Sequence, residues 1–314
     1  MYFLFKYLMR LWRRRQGAGS PAAEGSAAAA PAIAAPGTAV RPPRPGRPDG
    51  PSAASRGPLS LLLHQASYDL RISARNPRAR FTGFLFPLIL LVVFNGVFGG
   101  GKTRIDGVSV DLKVFYVTGI LAMSIVVNAY AGLVVSISAL RETGVLKRRR
   151  ATPVPAAVLI GGQAIATLAT TVIAAAFLLV IAKLLYSVDI AGPAICAVAC
   201  TTLLGTLTFA CIGYAVSGFI NSPDAAQPIV QATMLPLWFV SGVFIPISNL
   251  SGGLKHVAAV FPVEHLANSL HLAAVHGSFG QALSGTDMLV LTAWLLGAGA
   301  FAAWRFSWLP SSAR

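Results

Sequence analysis

Three places in the chain carry residue types that could do chemistry. Gly96–Thr103 reads GVFGGGKT and matches the phosphate-binding pattern GxxxxGK[ST] letter for letter. Such a loop aims backbone N–H groups and a lysine at phosphates, after a strand and at the start of a helix. Glu264 and His265, with His256, His271 and His276 nearby, offer a carboxylate and imidazoles, the donors of a zinc site. From Leu133 to Ile160 the chain reads LVVSISALRETGVLKRRRATPVPAAVLI, where five basic residues and one acid are pinned between two apolar stretches. What each can do depends on the elements that hold it.

Those elements are built for lipid. The 314 residues are 55% hydrophobic and only 11% charged, against about a quarter charged for a soluble domain. Six stretches lack Asp, Glu, Lys and Arg: Phe81–Gly99, Phe115–Ile137, Ala156–Ile181, Ala191–Ile220, Ile229–Pro246 and Met288–Trp304. Each can cross a hydrocarbon core of about 30 Å as a helix, some with tilt. The fold class expected is an all-α membrane protein with six transmembrane helices.

Ahead of the spans, MYFLFKYLMRLWRRRQ has its arginines after the apolar residues, the wrong order for a cleaved or twin-arginine signal. It fits a basic, aromatic helix on a membrane surface. From Gly17 to Pro58 the chain is Ala, Pro, Gly, Ser and Arg without an apolar period, the composition of a disordered linker. Two parts are therefore expected: a basic extension over 1–58 and a membrane domain over 59–314. In LSLLLHQASYDLRISAR, Leu59, Leu62, Leu63, Ala66 and Leu70 follow helical spacing, opposite Ser60, His64, Ser67, Arg71 and Arg75. That pattern predicts an amphipathic helix along the interface.

The net charge of +15 is unevenly spread. With both termini cytoplasmic, twenty of the 25 Lys and Arg lie inside and five lie outside: Lys102, Arg104, Lys113, Lys183 and Lys255. This is the positive-inside bias of a multi-pass protein of the cytoplasmic membrane, and no nucleic-acid partner is expected. The Arg141–Arg150 block then faces the cytoplasm, and the segment between spans five and six faces out. In that outer segment Val263, Leu266, Ala267, Leu270 and Ala274 form a helical apolar face behind Pro262, as in a short helix dipping into the outer leaflet.

On this layout two of the three candidates lose their chemistry. The GVFGGGKT stretch follows a membrane span and precedes a turn, on the side away from ATP, and reads as a Gly-rich exit from span one. Glu264 and His265 are neighbours that point apart on a helix, and no HExxH spacing exists. Exposed histidines on an amphipathic helix are expected, with no metal. Cys196, Cys200 and Cys211 lie in one apolar stretch and read as small packing residues.

The spans also lack a titratable relay. A charge near the bilayer centre costs about 2.5–3.5 kcal/mol and persists mainly for function. Here Asn95, Asn128, Gln163 and hydroxyls offer polar contact along a substrate path. Energy for uphill movement must come from outside the chain. The third candidate suits that need. Leu140 to Arg150 can form a short cytoplasmic helix, stopped by Thr152-Pro153-Val154-Pro155. Clamped between two spans, it could transmit a push, although a plain positive-inside anchor carries the same charge.

RETGVLKRRRATPVP resembles the coupling-helix segment of ABC-2 type permeases, the membrane subunits of ATP-driven exporters. Glu142, Gly144, Leu146, Thr152 and Pro153 stand where that family has an acid–x–Gly–x–Leu stretch and a later Thr-Pro. WFVSGVFIPISNLSGGLKHVAAVFPVEHLANSLH resembles a second hallmark, a span ending in Ser-Gly-x-Phe-x-Pro, then a break and an outer helix. Ser241, Gly242, Phe244, Ile245, Pro246 and, further on, Pro262 match it, with Glu264 in the same outer re-entrant region. The resemblance covers about Leu59 to Arg314 and looks closest to the daunorubicin-resistance branch, which exports drugs or lipids. Many relatives carry a second acid where this chain has Lys147.

The resemblance implies no catalytic residues and no cofactor in this chain. ATP and Mg would be bound by separate cytoplasmic ATPase subunits that contact the coupling helix at Arg141, Glu142, Gly144, Leu146, Lys147, Arg148, Thr152 and Pro153, and a second permease, identical or sibling, would accompany it. The alternative from another class is a membrane-embedded lipid-modifying enzyme using Glu264 and the nearby histidines.

Overall fold

A computed structural model describes residues 58–142, 156–188, 192–220, 222–276 and 279–305. The extension before Pro58 lies outside them. So do Gly144, Leu146, Lys147, Arg148, Thr152 and Pro153, and with them the expected coupling helix beyond Glu142.

The first helix, α1 (Pro58–Arg75), is the amphipathic helix expected at the interface. It lies on α6 (Ala156–Tyr186), where Gly161 and Gly162 leave room for the side chains of Leu62 and Gln65. His64, Ser67, Arg71 and Arg75 are exposed, as their spacing requires. Leu63 departs from the expected pattern and is 55% exposed, while Asp69 is buried and accepts from Gln65 at 2.9 Å. The protein takes a partly polar face of α1 and leaves Leu63, Tyr68 and Ile72 on the outside, where lipid suits them.

Span one starts with α2 (Pro77–Arg80), passes through a π-helical turn at Phe81–Leu85 and continues as α3 (Phe86–Phe98). An antiparallel hairpin follows, β1 (Lys102–Ile105) on β2 (Val108–Asp111), with Lys102 opposite Asp111. Its two-residue turn is Asp106-Gly107, with φ of 51° and 77°. Asp-Gly is the pair that such a left-handed turn demands. Lys102 and Thr103 thus sit in a strand after the glycines. A phosphate loop needs a strand before them and a helix after.

Span two is α4 (Leu112–Val126), a π-helical turn at Val127–Ala131 and α5 (Gly132–Glu142), helical without a gap from Leu112 to Glu142. Every residue from Phe115 to Val126 is buried, so this rod is the axis of the bundle. Arg141 and Glu142 continue this helix without a break, up to the last described residue of the segment. α6 has 31 residues, about 46 Å at 1.5 Å per residue, and extends past a 30 Å hydrocarbon layer. α7 (Gly192–Ser217) has Pro193 in its first turn and ends three residues before the expected Ile220.

The fifth expected span is the one the structure changes most. α8 (Pro223–Val240) is capped by Ser222, whose side chain accepts from Ala225 N, and it contains Pro228 and Pro236. It stops at Val240, six residues before Pro246. Gly242 has φ +80°, a value open to glycine, and the chain turns through Ile247–Asn249, a short 3₁₀ segment. Among the described residues five helices are long and apolar enough to cross a bilayer, and α8 is not one of them.

The chain then forms α9 (Gly252–Ala258), α10 (Pro262–Val275), α11 (Phe279–Ala282) and the final span α12 (Gly285–Arg305). α10 was expected to be half-buried. Instead Val263, Leu266, Ala267 and Leu270 are in the core and His265 and His271 are buried with them. α10 packs against α4, α7 and α12, so both of its faces meet protein.

Helices in lipid gain little from hiding apolar surface from one another, and close packing of small residues takes over. Gly205 of α7 meets Leu266 of α10, and Gly119 of α4 meets the carbonyl of Val243 in the turn after α8. A side chain at Gly119 has nowhere to go, since what it would strike is backbone. Gly119→Leu should therefore lose more than the roughly 1–3 kcal/mol typical of overpacking, read as a lower melting temperature and lower yield in detergent. An unchanged melting curve would contradict this packing.

Candidate functional site

The two ends of the bundle carry different chemistry. At one end α5 finishes beside the C-terminus of α7. The last carbonyls of a helix have no partner within it and carry partial negative charge. Arg141 answers both needs: Nη1 donates to the carbonyls of Ser217 at 2.8 Å and Ile220 at 3.3 Å. The side chain is only 8% exposed. Arg141 was expected to face an ATPase; the structure turns it inward as a clamp between α5 and α7. Its neighbour Glu142 is exposed.

The candidate substrate-path residues separate. Asn128 sits in the π turn of span two. Its Nδ2 donates to Gly83 O at 3.1 Å and Ser124 O at 2.9 Å. Gly83 lies in the π turn of span one, and a Cβ there would collide with Asn128 Oδ1. Four residues on from Gly83 stands Pro87, which has no N–H to give the Gly83 carbonyl, and Asn128 supplies a donor instead. Asn95 is different: Nδ2 donates to Leu91 O at 3.0 Å, while its buried Oδ1 has no hydrogen-bond partner among the described residues. Gln163 is half-buried on α6.

At the other end the turn after α8 is held from three directions. His271 of α10 donates from Nε2 to Gly242 O at 3.1 Å and accepts at Nδ1 from Thr118 Oγ1 at 2.6 Å. Burial lowers its pKa to about 4, so the ring is neutral, and with the proton on Nε2 the Nδ1 lone pair faces the Thr118 hydroxyl. Phe115 stacks on the same ring at 4.6 Å. Phe244 stacks on Phe94 of α3 at 4.8 Å and meets Trp238 edge-on. Ser241 and Gly242 are buried, and Pro246 begins the way out toward α9.

Glu264 and His265, expected to point apart, come together. Glu264 Oε2 lies 3.2 Å from His265 Nδ1, and Asp287 Oδ1 of α12 lies 2.6 Å from the same atom. His265 Nε2 bonds Ala259 O at 2.9 Å. Asp287 raises the His265 pKa by hydrogen bonding, against its burial, and burial raises that of Glu264. His256 and His276 stay apart: the first bonds Gly252 O and the second bonds Asp106 of the hairpin at 3.1 Å. Asp287 escaped the sequence reading because it precedes the last apolar run. A cap pattern was visible there, since Ser284 Oγ accepts from Asp287 N at 3.3 Å.

The family model for ABC-2 type transporters matches residues 66–274, more than half of the chain. No curated protein matches it.

Two substitutions test the geometry. Arg141→Met keeps the apolar stem and removes the charged donor, and should cost about 1.5–3 kcal/mol, with Arg141→Lys between it and the wild type in thermal unfolding. Asn128→Leu should cost about 0.6–2 kcal/mol in the same assay. Wild-type stability in either variant would show that the carbonyl it serves needs no donor.

Proposed function

The chain belongs to the ABC-2 type transporter family, and from that premise we propose that it is the permease subunit of an ATP-driven exporter for a hydrophobic or amphipathic cargo. It is an integral membrane transport subunit. In the proposal it lies in the cytoplasmic membrane with both termini inside, in the drug- and lipid-exporting branch of the family. It pairs with a second permease and with cytoplasmic ATPase subunits that bind ATP and Mg.

The observation that carries the reading is the unbroken helix from Leu112 to Glu142, whose last described residue is an exposed acid with a buried arginine one residue before it. A push delivered near Glu142 enters the axis of the bundle directly. Arg141 shares it with α7 through the Ser217 and Ile220 carbonyls. At the far end the same rod carries Thr118 and Gly119, which meet His271 and Val243. Force applied at one end therefore reaches the turn after α8. The spans hold apolar surface and few uncommitted polar atoms. Asn128 serves backbone, whereas among the described residues the buried Asn95 Oδ1, Thr201 Oγ1, Thr202 Oγ1, Trp238 Nε1 and Ser241 Oγ have no hydrogen-bond partner and are polar atoms open to cargo.

The second reading, a lipid-modifying enzyme, draws on the meeting of Glu264, His265 and Asp287. It requires turnover by the purified chain without ATP.

Glu142→Lys tests the transporter reading. Proteoliposomes holding the permease and its ATPase should lose cargo-stimulated ATP hydrolysis and dye export by at least tenfold, with the variant still inserted at wild-type level. Wild-type export by this variant would refute a force path through Glu142.

A further inference from the structure

We infer that Glu264, His265 and Asp287 form a binding site for a divalent transition cation of the zinc type, which ties α10 to α12. The first ground is the tautomer of His265. Ala259 O can only accept, so the 2.9 Å bond obliges Nε2 to carry the ring proton. A neutral ring then turns the Nδ1 lone pair toward Asp287 Oδ1 at 2.6 Å and Glu264 Oε2 at 3.2 Å. Three acceptors facing one another repel, so a positive centre has to lie among them. A proton on Nδ1 makes the ring a single positive charge facing both carboxylates, at 2.6 and 3.2 Å. A divalent cation brings two charges to the two carboxylates, and it needs the lone pair that the Ala259 contact leaves on Nδ1.

The second ground is the support behind the donors. A histidine that binds metal through one nitrogen donates from the other to a carbonyl or carboxylate, and ligating carboxylates are themselves hydrogen-bonded. Here Nε2–H meets Ala259 O. The second oxygen of Asp287 accepts from Asn268 Nδ2 at 2.8 Å and Ser269 Oγ at 3.4 Å. His265 and Asp287 are 6% and 4% exposed, so both are fixed by packing before any ion arrives.

The third ground is size. One ligand atom from each residue lies within 4.8 Å of the other two. Bonds of about 2.0–2.1 Å in a tetrahedral site put ligand atoms about 3.3 Å apart. Glu264 Oε2 is already at that spacing from Nδ1, and Asp287 Oδ1 has to open by less than 1 Å. The Glu264 side chain is 14% exposed, which leaves a way in. One imidazole and two carboxylates favour zinc over calcium or magnesium, which take oxygen alone. Three protein ligands leave a fourth position for water.

The test uses tag-free, full-length protein in nanodiscs, titrated with ZnCl₂ and, as a control, CaCl₂. One Zn²⁺ per chain is expected, with X-ray absorption showing a single imidazole among nitrogen and oxygen ligands and a zinc-dependent rise in melting temperature. Glu264→Gln, at the exposed edge, should fold normally and lose at least tenfold in zinc affinity; Asp287→Asn should lose more. Well below one zinc per chain, or wild-type affinity and melting shift in Glu264→Gln, would overturn the site. The first of these results would leave a proton as the bridging charge. The surface residues His64 and His256 provide a further control: replacing both with Gln should leave zinc affinity unchanged, and its loss in that variant would also overturn the assignment.

Discussion

Every backbone carbonyl that leaves the helical ladder inside an apolar bundle has to find a donor, because lipid supplies none. This constraint explains where the polar side chains of the bundle sit. In span one Pro87 leaves Gly83 O without its usual helical donor, and Asn128 takes it. The end of α7 releases Ser217 O and Ile220 O, which Arg141 takes. The turn after α8 exposes Gly242 O to His271, and the end of α9 exposes Ala259 O and Val260 O to His265 and Trp294. Each donor comes from a different element than its acceptor. The irregular places are therefore where the helices are tied to one another.

Those ties serve the transporter reading. A bundle of straight apolar helices could slide without resistance, since one apolar contact replaces another at little cost. Specific bonds from span two to span one, to α7 and to α10 make it a lever with fixed pivots. The break after α8 is braced by neutral His271 and by Phe244, which stacks on Phe94 of span one. Transport energy need not enter through a charge inside the membrane.

Much of this frame was legible in the sequence. The apolar stretches gave five helices of crossing length, and the start of α10 at Pro262 followed from proline chemistry. The fifth span was overdrawn because apolarity continues from Val240 to Pro246, while Gly242 at φ +80° ends the helix. His265 and His271 were misread because a periodic apolar face shows which side of a helix is covered, not whether the other side is covered as well. Arg141 was read as a surface charge because the acceptors that bury it lie 76 and 79 residues away. The same holds for the cluster at Glu264: a local pattern cannot reveal Asp287, which arrives from another helix.

The claim that polar side chains here serve released backbone is tested most directly at His271. His271→Leu keeps the bulk that stacks on Phe115 and removes the donor to Gly242 O, while the Thr118 hydroxyl keeps its backbone acceptors at Val114 and Phe115. Thermal unfolding of the full chain in lipid nanodiscs should show a loss of about 1–3 kcal/mol and a lower melting temperature. Equal or greater stability in the leucine variant would contradict the account, because it would mean that the carbonyl at the break is satisfied without the imidazole.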